Sequence, residues 1–349
     1  MPYTPIVIAR DSMIIMGVPF PMVTTENTAV KVEKDHSSVA TISSEGESME
    51  QMDKVNAVSR MQMRIIANLD DVTLDDLSVA AGYSKYYAVR IFKEAIGKTP
   101  GEYIRALRLT RAAEELRDSG VKIIDAALNC GFDSHDGFTR AFTRQFKLTP
   151  MRYSRETPPV SFFVHYPIKS YYHLKDGEKA MQNEKVSRTV TVTAVERPAR
   201  KLILLRAKET KGGDYFAYSE EMGYEWEGLL GSIAEKFAPA ALLTLPQNFI
   251  VSGTSDTAAG VEVPADYGKT IPNGYDIIDL PPCTMLFFNG VPYGDENDFC
   301  IAIDIVWEAV DSYNPDLYGW QAAPELAPRF NFGAEEALGA RMAIPVKKK

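Results

Sequence analysis

Apolar residues recur along this chain in two rhythms. From about residue 53 to 155 they return every three or four positions, the period of helices that bury one face; from Thr189 onward they alternate or gather in short runs, the period of strands. In the first region Thr73-Leu-Asp-Asp opens a capping pattern, with Asp76 at the third helical position and Leu74, Leu77 and Ala80 as core candidates. Gly82 interrupts, and Ser84 caps the next helix. Thr99-Pro100-Gly101-Glu102 is a stronger start, and the helix it opens runs through "YIRALRLTRAAEELRD" to Gly120, roughly 18 residues or 27 Å at the standard rise. In the second region "TVTVTAVE", "KLILLRAK", "NFIVSG", "YDIIDL", "TMLFFNG" and "ARMAIPV" read as strands, with helices near 219–237 and 296–312. The order β-β-α-β occurs twice there. The predicted fold class is therefore multidomain: an all-α region followed by an α+β domain with internal pseudo-symmetry.

The helical region also repeats itself. Ser84 and Ser134, Arg90 and Arg140, Phe92 and Phe142, Thr99 and Thr149, Pro100 and Pro150, and Tyr103 and Tyr153 each stand 50 positions apart, while Gly82 and Gly131 stand 49 apart. Each copy reads helix, glycine turn, capped helix, which is a helix-turn-helix, so the chain carries two in tandem. A helix-turn-helix sets its second helix in the major groove of DNA with side chains near the N-terminus touching base edges. In the first copy the outward positions are Lys85, Tyr86, Val89, Arg90 and Lys93, with Ala88, Phe92 and Ala95 inward. In the second the outward set is His135, Asp136, Thr139, Arg140 and Arg144, with Phe138 and Phe142 inward.

Arg90 and Arg140 occupy the same place in each copy, and arginine there can bind guanine bidentately, worth roughly 1–3 kcal/mol of discrimination. Asp136 is either an acceptor for a cytosine amino group or a first-turn carboxylate serving the helix dipole, and His135 reads as a phosphate or solvent contact. Lys98, Arg105, Arg152 and Arg155 are phosphate candidates. Two reading helices joined by the rod from Thr99 would enter two groove segments about 34 Å apart.

Composition divides the chain at the same boundary. Residues 51–155 hold 17 Lys and Arg against 13 Asp and Glu, whereas 187–349 hold 14 against 23, inside a total of -9. The basic part suits a polyanion and the acidic part a cationic ligand. Residues 1–48 end in low-complexity "SSVATISSEGES" and are expected to be a disordered or non-native leader, with order starting near Met49 and Met52. "SMIIMGVPFPMV" resembles a secretory signal only faintly, having two prolines and no cleavage site. Domains are expected at 50–155 and 187–349, joined by 156–186, whose aromatic first half packs on a domain and whose "KDGEKAMQNEK" is a hinge. No apolar run is long enough to span a membrane. The three cysteines share no ligand spacing and read as buried hydrophobes of a cytoplasmic protein, with no metal and no cofactor.

"AAGYSKYYAVRIFKEAIGKTPGEYIR" and "GFDSHDGFTRAFTRQFKLTPMRYSR" resemble the DNA-binding region of the AraC/XylS family of bacterial transcription regulators over about a hundred residues. Lys147 departs from that pattern, standing where the first copy has Gly97. "ERPARKLILLRAK", "GVEVP", "LPP", "APRF" and the terminal "IPVKKK" are similar to the GyrI-like effector-binding domain often fused to such regulators. That resemblance implies two β-α-β-β repeats around an aromatic cleft and a small-molecule effector, aromatic or cationic. It further implies double-stranded DNA and RNA polymerase as partners.

Many GyrI-like domains meet a cationic ligand with a buried glutamate, yet Met342 stands where an acid is expected. Glu225, beside Trp226, is the substitute candidate, or else a solvent-facing helix glutamate. Tyr224, Trp226, Phe288, Trp307 and Trp320 are cleft walls or plain core. Two other readings stay open for this domain: a protein-interaction module without ligand, or a small hydrolase using Glu225 and Tyr224. Against an enzyme, no histidine lies beyond residue 173 and no nucleophile elbow, metal-spaced cluster or phosphate loop occurs.

Overall fold

Buried residues of the helical half fall into two separate cores with one helix common to both. The computed structural model describes residues 14–15, 18–19, 39–132, 134–169, 187–209, 215–294, 298–335 and 337–349. The hinge expected at 175–185 lies outside these residues. So does most of the leader expected over 1–48, save two short strands, β1 (Ile14–Ile15) and β2 (Val18–Pro19), and the opening of the first helix. That helix, α1 (Val39–Ala67), begins within the polar stretch read as unfolded. Its stripe of Val55, Val58, Met61 and Ile65 is buried, and a helix anchored by such packing propagates outward at little cost.

Six helices follow: α2 (Leu74–Ala81), α3 (Lys85–Ile96), α4 (Pro100–Asp118), α5 (Ile123–Asn129), α6 (His135–Phe146) and α7 (Pro150–Glu156). The first core gathers Leu77, Ala81, Ala88, Ile91, Phe92 and Tyr103 around α1. The second gathers Ala112, Leu116, Ala127, Phe138, Phe142 and Tyr153. Tyr103 and Leu116 lie near opposite ends of α4, so that helix is built into both cores. Its start is fixed by a full capping box, Thr99 accepting from the Glu102 amide while the Glu102 carboxylate accepts from the Thr99 amide at 2.8 Å.

The duplicated turns share their caps. Ser84 and Ser134 accept from the amides of Tyr87 and Gly137 at 3.4 and 3.2 Å, and Thr99 and Thr149 cap the helices that follow. After α3 the chain turns at Gly97 with φ 76°; after α6 it makes the same left-handed turn at Lys147 with φ 61°. The departure from glycine thus leaves the turn unchanged and imposes a left-handed backbone on a residue with a Cβ.

Residues 187–349 form an antiparallel sheet with helices on one face. Its strands are β3 (Thr191–Arg197), β4 (Arg200–Arg206), β5 (Ala241–Thr244), β6 (Thr257–Pro264), β7 (Asp276–Leu280), β8 (Cys283–Asn289), β9 (Trp320–Ala322), β10 (Arg329–Glu335) and β11 (Gly339–Lys348). They lie in the order β3-β8-β11-β10-β5-β6-β4-β7, with β9 on β11. Among the described residues three α-helices interrupt them: α8 (Tyr215–Met222), α9 (Glu225–Gly231) and α10 (Phe299–Ser312). Trp226 and Leu230 of α9 pack on Ile203, Val261 and Val263. Val306 and Val310 of α10 pack on Leu286, Phe288 and Met342. Alternate strand residues, Leu202, Leu204, Leu243, Met285 and Phe330 among them, fill a third core on the opposite face. Arg200 is wholly buried, its Nε 2.5 Å from Glu262 Oε1 and one terminal nitrogen 2.9 Å from the Pro281 carbonyl. Arg197 holds the second Glu262 oxygen at 3.3 Å, so removing one member would strand a buried charge at a cost of about 3–5 kcal/mol.

An extended strap, residues 157–169, ties the halves together. Val160 and Phe162 enter the second helical core, Phe163 and Ile168 the first. The strap runs along α4, where the Phe163 amide donates to Thr110 Oγ1 at 2.8 Å and Tyr103 bonds His165 Nδ1. From the other side α9 closes on it: the Val160 amide donates to Ser232 Oγ at 3.0 Å and the Tyr166 hydroxyl to Glu227 at 2.8 Å. Arg117 caps the contact, bonding the Ser232 carbonyl at 2.8 Å with its guanidinium 5.4 Å over the Phe162 ring. Gly228 lies so close to the strap that a Cβ there would overlap the Phe162 carbonyl oxygen.

Two predictions follow from these local geometries. Replacing Lys147 with Gly relieves the left-handed strain and should stabilise the helical half by about 1 kcal/mol, read from denaturant unfolding; no gain would show that the turn costs nothing. Burial pushes the His165 imidazole down to about 4, so between pH 6.5 and 4 the unfolded chain binds a proton that the fold refuses. Stability should fall across that window as pH drops, by at most about 3 kcal/mol, and His165→Asn should flatten the fall; parallel acid-stability curves would clear His165 of the effect.

Candidate nucleic-acid interface

Each reading helix turns one stripe inward and the opposite one to solvent. In α3 Ala88, Ile91 and Phe92 are buried, with Ala95 half-buried beside them. Lys85, Tyr86, Arg90 and Lys93 are exposed and Val89 is half-buried. In α6 Phe138, Phe142 and Phe146 are buried; His135, Asp136, Arg140 and Arg144 are exposed, and Thr139 is half-buried. Tyr86 holds an aromatic ring 81% in solvent at the second position of its helix, an exposure that a monomeric core gives no reason for.

Several of these groups already have partners. Lys85 pairs with Asp75 at 2.5 Å, holding the reading helix to the start of α2. Arg90 lies 4.7 Å over the Tyr87 ring and 3.6 Å from Glu94, an exposed contact worth only about 0–1 kcal/mol and readily exchanged. His135 sits 3.7 Å from Asp136. Arg140 and Arg144 form no ion pair among the described residues. Of the four phosphate candidates, Arg105 is exposed, Lys98 lies 5.8 Å over the Phe163 ring, and Arg152 and Arg155 both bind Glu156.

Sequence reasoning missed the two arginines that fix the distance between the copies. Arg108, on α4, donates to the carbonyls of Leu69 and Asp70 at 2.9 and 2.6 Å, gripping the turn between α1 and α2. One helical turn on, Arg111 bonds the Asp70 carboxylate and, at 2.7 Å, the Asn129 carbonyl at the end of α5. That guanidinium holds the Asp70 carboxyl below its ordinary range. A single side chain thus reaches both units, and its spacing from Arg108, three residues on a helix, was the signal available.

The six residues read as effector contacts are not brought into one pocket. Tyr224 and Trp226 are buried at the start of α9, Tyr224 edge-on to Tyr166 at 6.5 Å and Trp226 donating to Ser219 Oγ at 3.2 Å. Glu225 is exposed and reaches Ser161 of the strap at 3.5 Å, at the domain junction. Phe288, Trp307 and Trp320 belong to the α10 half, where Phe288 is buried edge-on to Tyr313 at 5.1 Å. Of the six, Trp307 lines a cleft between α10 and the central strands, with Val310, Arg329, Asn331 and Met342. About 10 Å³ is free there, room for scarcely one water. Met342 is buried in its floor, and Glu262, the buried glutamate among the described residues, is already held by two arginines.

Residues 77–156 match the family described as a helix-turn-helix domain. The transcriptional regulator Rob of Salmonella typhimurium is 38% identical over 119 residues, 34% of this chain and 41% of its own length. The TetD protein of transposon Tn10 from Escherichia coli is 49% identical over 89 residues, 25% of this chain and 64% of its own. The regulatory protein SoxS of Escherichia coli is 42% identical over 82 residues, 24% of this chain and 77% of its own. The similarity to Rob therefore spans well under half of that protein, while SoxS is covered over most of its length. With two capped helix-turn-helix units in register on one shared helix, and with relatives of this kind, the chain belongs to the AraC/XylS family of bacterial transcription regulators.

Proposed function

We propose that this chain is a sequence-specific DNA-binding regulator of transcription. It reads two successive major-groove segments and is modulated by a small molecule held in a GyrI-like C-terminal domain. The observation that carries the DNA reading is the matched pair of outward stripes on α3 and α6, each headed by a serine cap and each presenting one arginine at the same position, Arg90 and Arg140. In this reading the two arginines take guanine edges. Lys85, Tyr86, Val89 and Lys93 complete the first contact, and His135, Asp136, Thr139 and Arg144 the second. Because one polypeptide supplies both heads, the site need not be palindromic. The work is done in the cytoplasm, with RNA polymerase as the partner that reads the outcome.

The effector part rests on strand order. Reading inward from either edge, β7-β4-β6-β5 meets β3-β8-β11-β10, so β4-α9-β5-β6 and β8-α10-β10-β11 correspond as β-α-β-β repeats, each flanked by the strand that precedes the other. That arrangement supports a GyrI-like domain of two pseudo-symmetric repeats. The strap supplies the coupling: it carries residues of both helical cores and is held by α9, so a ligand that favours one docking of α9 biases the two reading heads.

Arg90→Ala and Arg140→Ala should each weaken specific binding by roughly 1–3 kcal/mol, about five- to 150-fold, with circular dichroism unchanged. A fluorescence-anisotropy titration on an operator selected from genomic fragments measures this, and unaltered affinity in both variants would refute the assigned readers. Gly228→Ala should push α9 off the strap; hydrogen exchange at the Val160 amide, bonded to Ser232, should then accelerate while Phe163, bonded to Thr110, keeps its protection. Equal protection of Val160 in both proteins would mean that α9 does not hold the strap.

A further inference from the structure

The two reading helices carry unlike chemistry on the side they turn outward. Matched at the 50-residue register, Tyr86 and Val89 of α3 stand where α6 has Asp136 and Thr139, beside the shared arginines Arg90 and Arg140. Asp136 and Thr139 both carry oxygens that accept hydrogen bonds. The Val89 side chain neither donates nor accepts, and Tyr86 is polar only at its tip. Positions 86, 89, 90 and 93 share one side of the helix, so Val89 lies among Tyr86, Arg90 and Lys93.

The fold makes no use of this apolar pair. The half-buried Tyr87 and Ala95 of the same helix pack against the first helical core, whereas neither Tyr86 nor Val89 is among the described residues packed there. The Tyr86 ring stands in solvent, and Val89 keeps part of its surface there. Both offer apolar area that folding leaves uncovered, in the middle of a stripe whose charged members suit phosphate and guanine. A phosphate or a hydrogen-bonding base edge set against Val89 would lose water and gain no partner. The 5-methyl of thymine is the apolar group that the major groove presents, and it gains from the contact.

We infer that the first reading head recognises thymine by its 5-methyl group, seated on Val89 and flanked by the Tyr86 ring, next to the guanine taken by Arg90. The inference rests on the reading of α3 as a DNA-reading helix and names what that helix selects. Val89 thereby becomes a specificity-determining residue. The second head, with a carboxylate and a hydroxyl at the matched places, selects a different sequence. The two halves of the site are then unlike, and the protein lies on it in one direction.

Deoxyuridine differs from thymidine by that methyl alone and pairs with adenine in the same way. The test is an anisotropy titration of the full chain on an operator selected from genomic fragments, with deoxyuridine set in place of one thymidine at a time. At one thymidine or more the exchange should weaken binding about fourfold, the worth of one buried methyl. Val89→Ala should bind the unmodified operator less tightly and lose most of its preference for that operator over the deoxyuridine form, which closes a double-mutant cycle. A variant that merely folded badly would weaken on both forms alike and keep the preference. Indifference of the unaltered chain to every exchange would overturn the thymine assignment and leave DNA reading standing. A loss on exchange that Val89→Ala shares in full would remove Val89 from the contact, the methyl then acting through another residue or through the duplex itself. If no fragment is selected over bulk DNA, the DNA reading falls and the thymine assignment with it.

Discussion

Everything in the helical half depends on α4 being a member of two cores at once. Tyr103 near its start is buried with Phe92 and Ile91, while Leu109, Ala112 and Leu116 are buried with the aromatic cluster of α6 and α7. A helix packed along its whole length cannot bend without opening one core or the other. Nineteen residues of such a helix span about 28 Å. Arg108 and Arg111 remove the remaining freedom by pinning the turn at Leu69 and Asp70, and the end of α5, to the same rod. The spacing of α3 and α6 is thus chiefly a packing result, to which the Lys85–Asp75 pair adds one contact from an outer stripe.

The strap extends this logic to the C-terminal domain. A connector that touched a single core could report only on that core. Val160 and Phe162 in the second core and Phe163 and Ile168 in the first make the strap sensitive to both. The contact with α9 is polar and close: the strap bonds Ser232, Glu227 and Glu225, Arg117 bonds the Ser232 carbonyl while stacked on the Phe162 ring, and Gly228 admits no side chain. Interfaces of that kind hold a definite geometry at a modest energy. The fully buried Arg200 with Glu262 works in the opposite sense, locking β4 to β6 near the β7 edge of the sheet through a charge pair that cannot be half broken.

What lies between is a division of charge by place. The basic surplus is carried on a helical surface where even the arginines that have partners, such as Arg90 with Glu94, hold them in solvent. The acidic surplus of the sheet domain is spread over mostly exposed positions, with Glu262 and Asp298 the buried exceptions among the described residues.

The sequence by itself determined the local structure and the duplication. Ser84, Thr99, Ser134 and Thr149 announce helix starts because a cap is satisfied by atoms three residues away, and the 50-residue register announces two copies because each copy repeats the same short-range bonds. The outward stripes were legible for the same reason, since helical period alone assigns Arg90 and Arg140 to one side and Phe92 and Phe142 to the other. Only the tertiary structure decided which distant residues meet. That Arg111 reaches Asn129, that Gly228 lies against Phe162, that Glu262 is neutralised by Arg197 and Arg200, and that Tyr224 and Trp307 belong to different halves of the sheet all follow from strand order and helix packing. Such contacts join positions far apart in the chain, and no period or spacing along a single sequence encodes them.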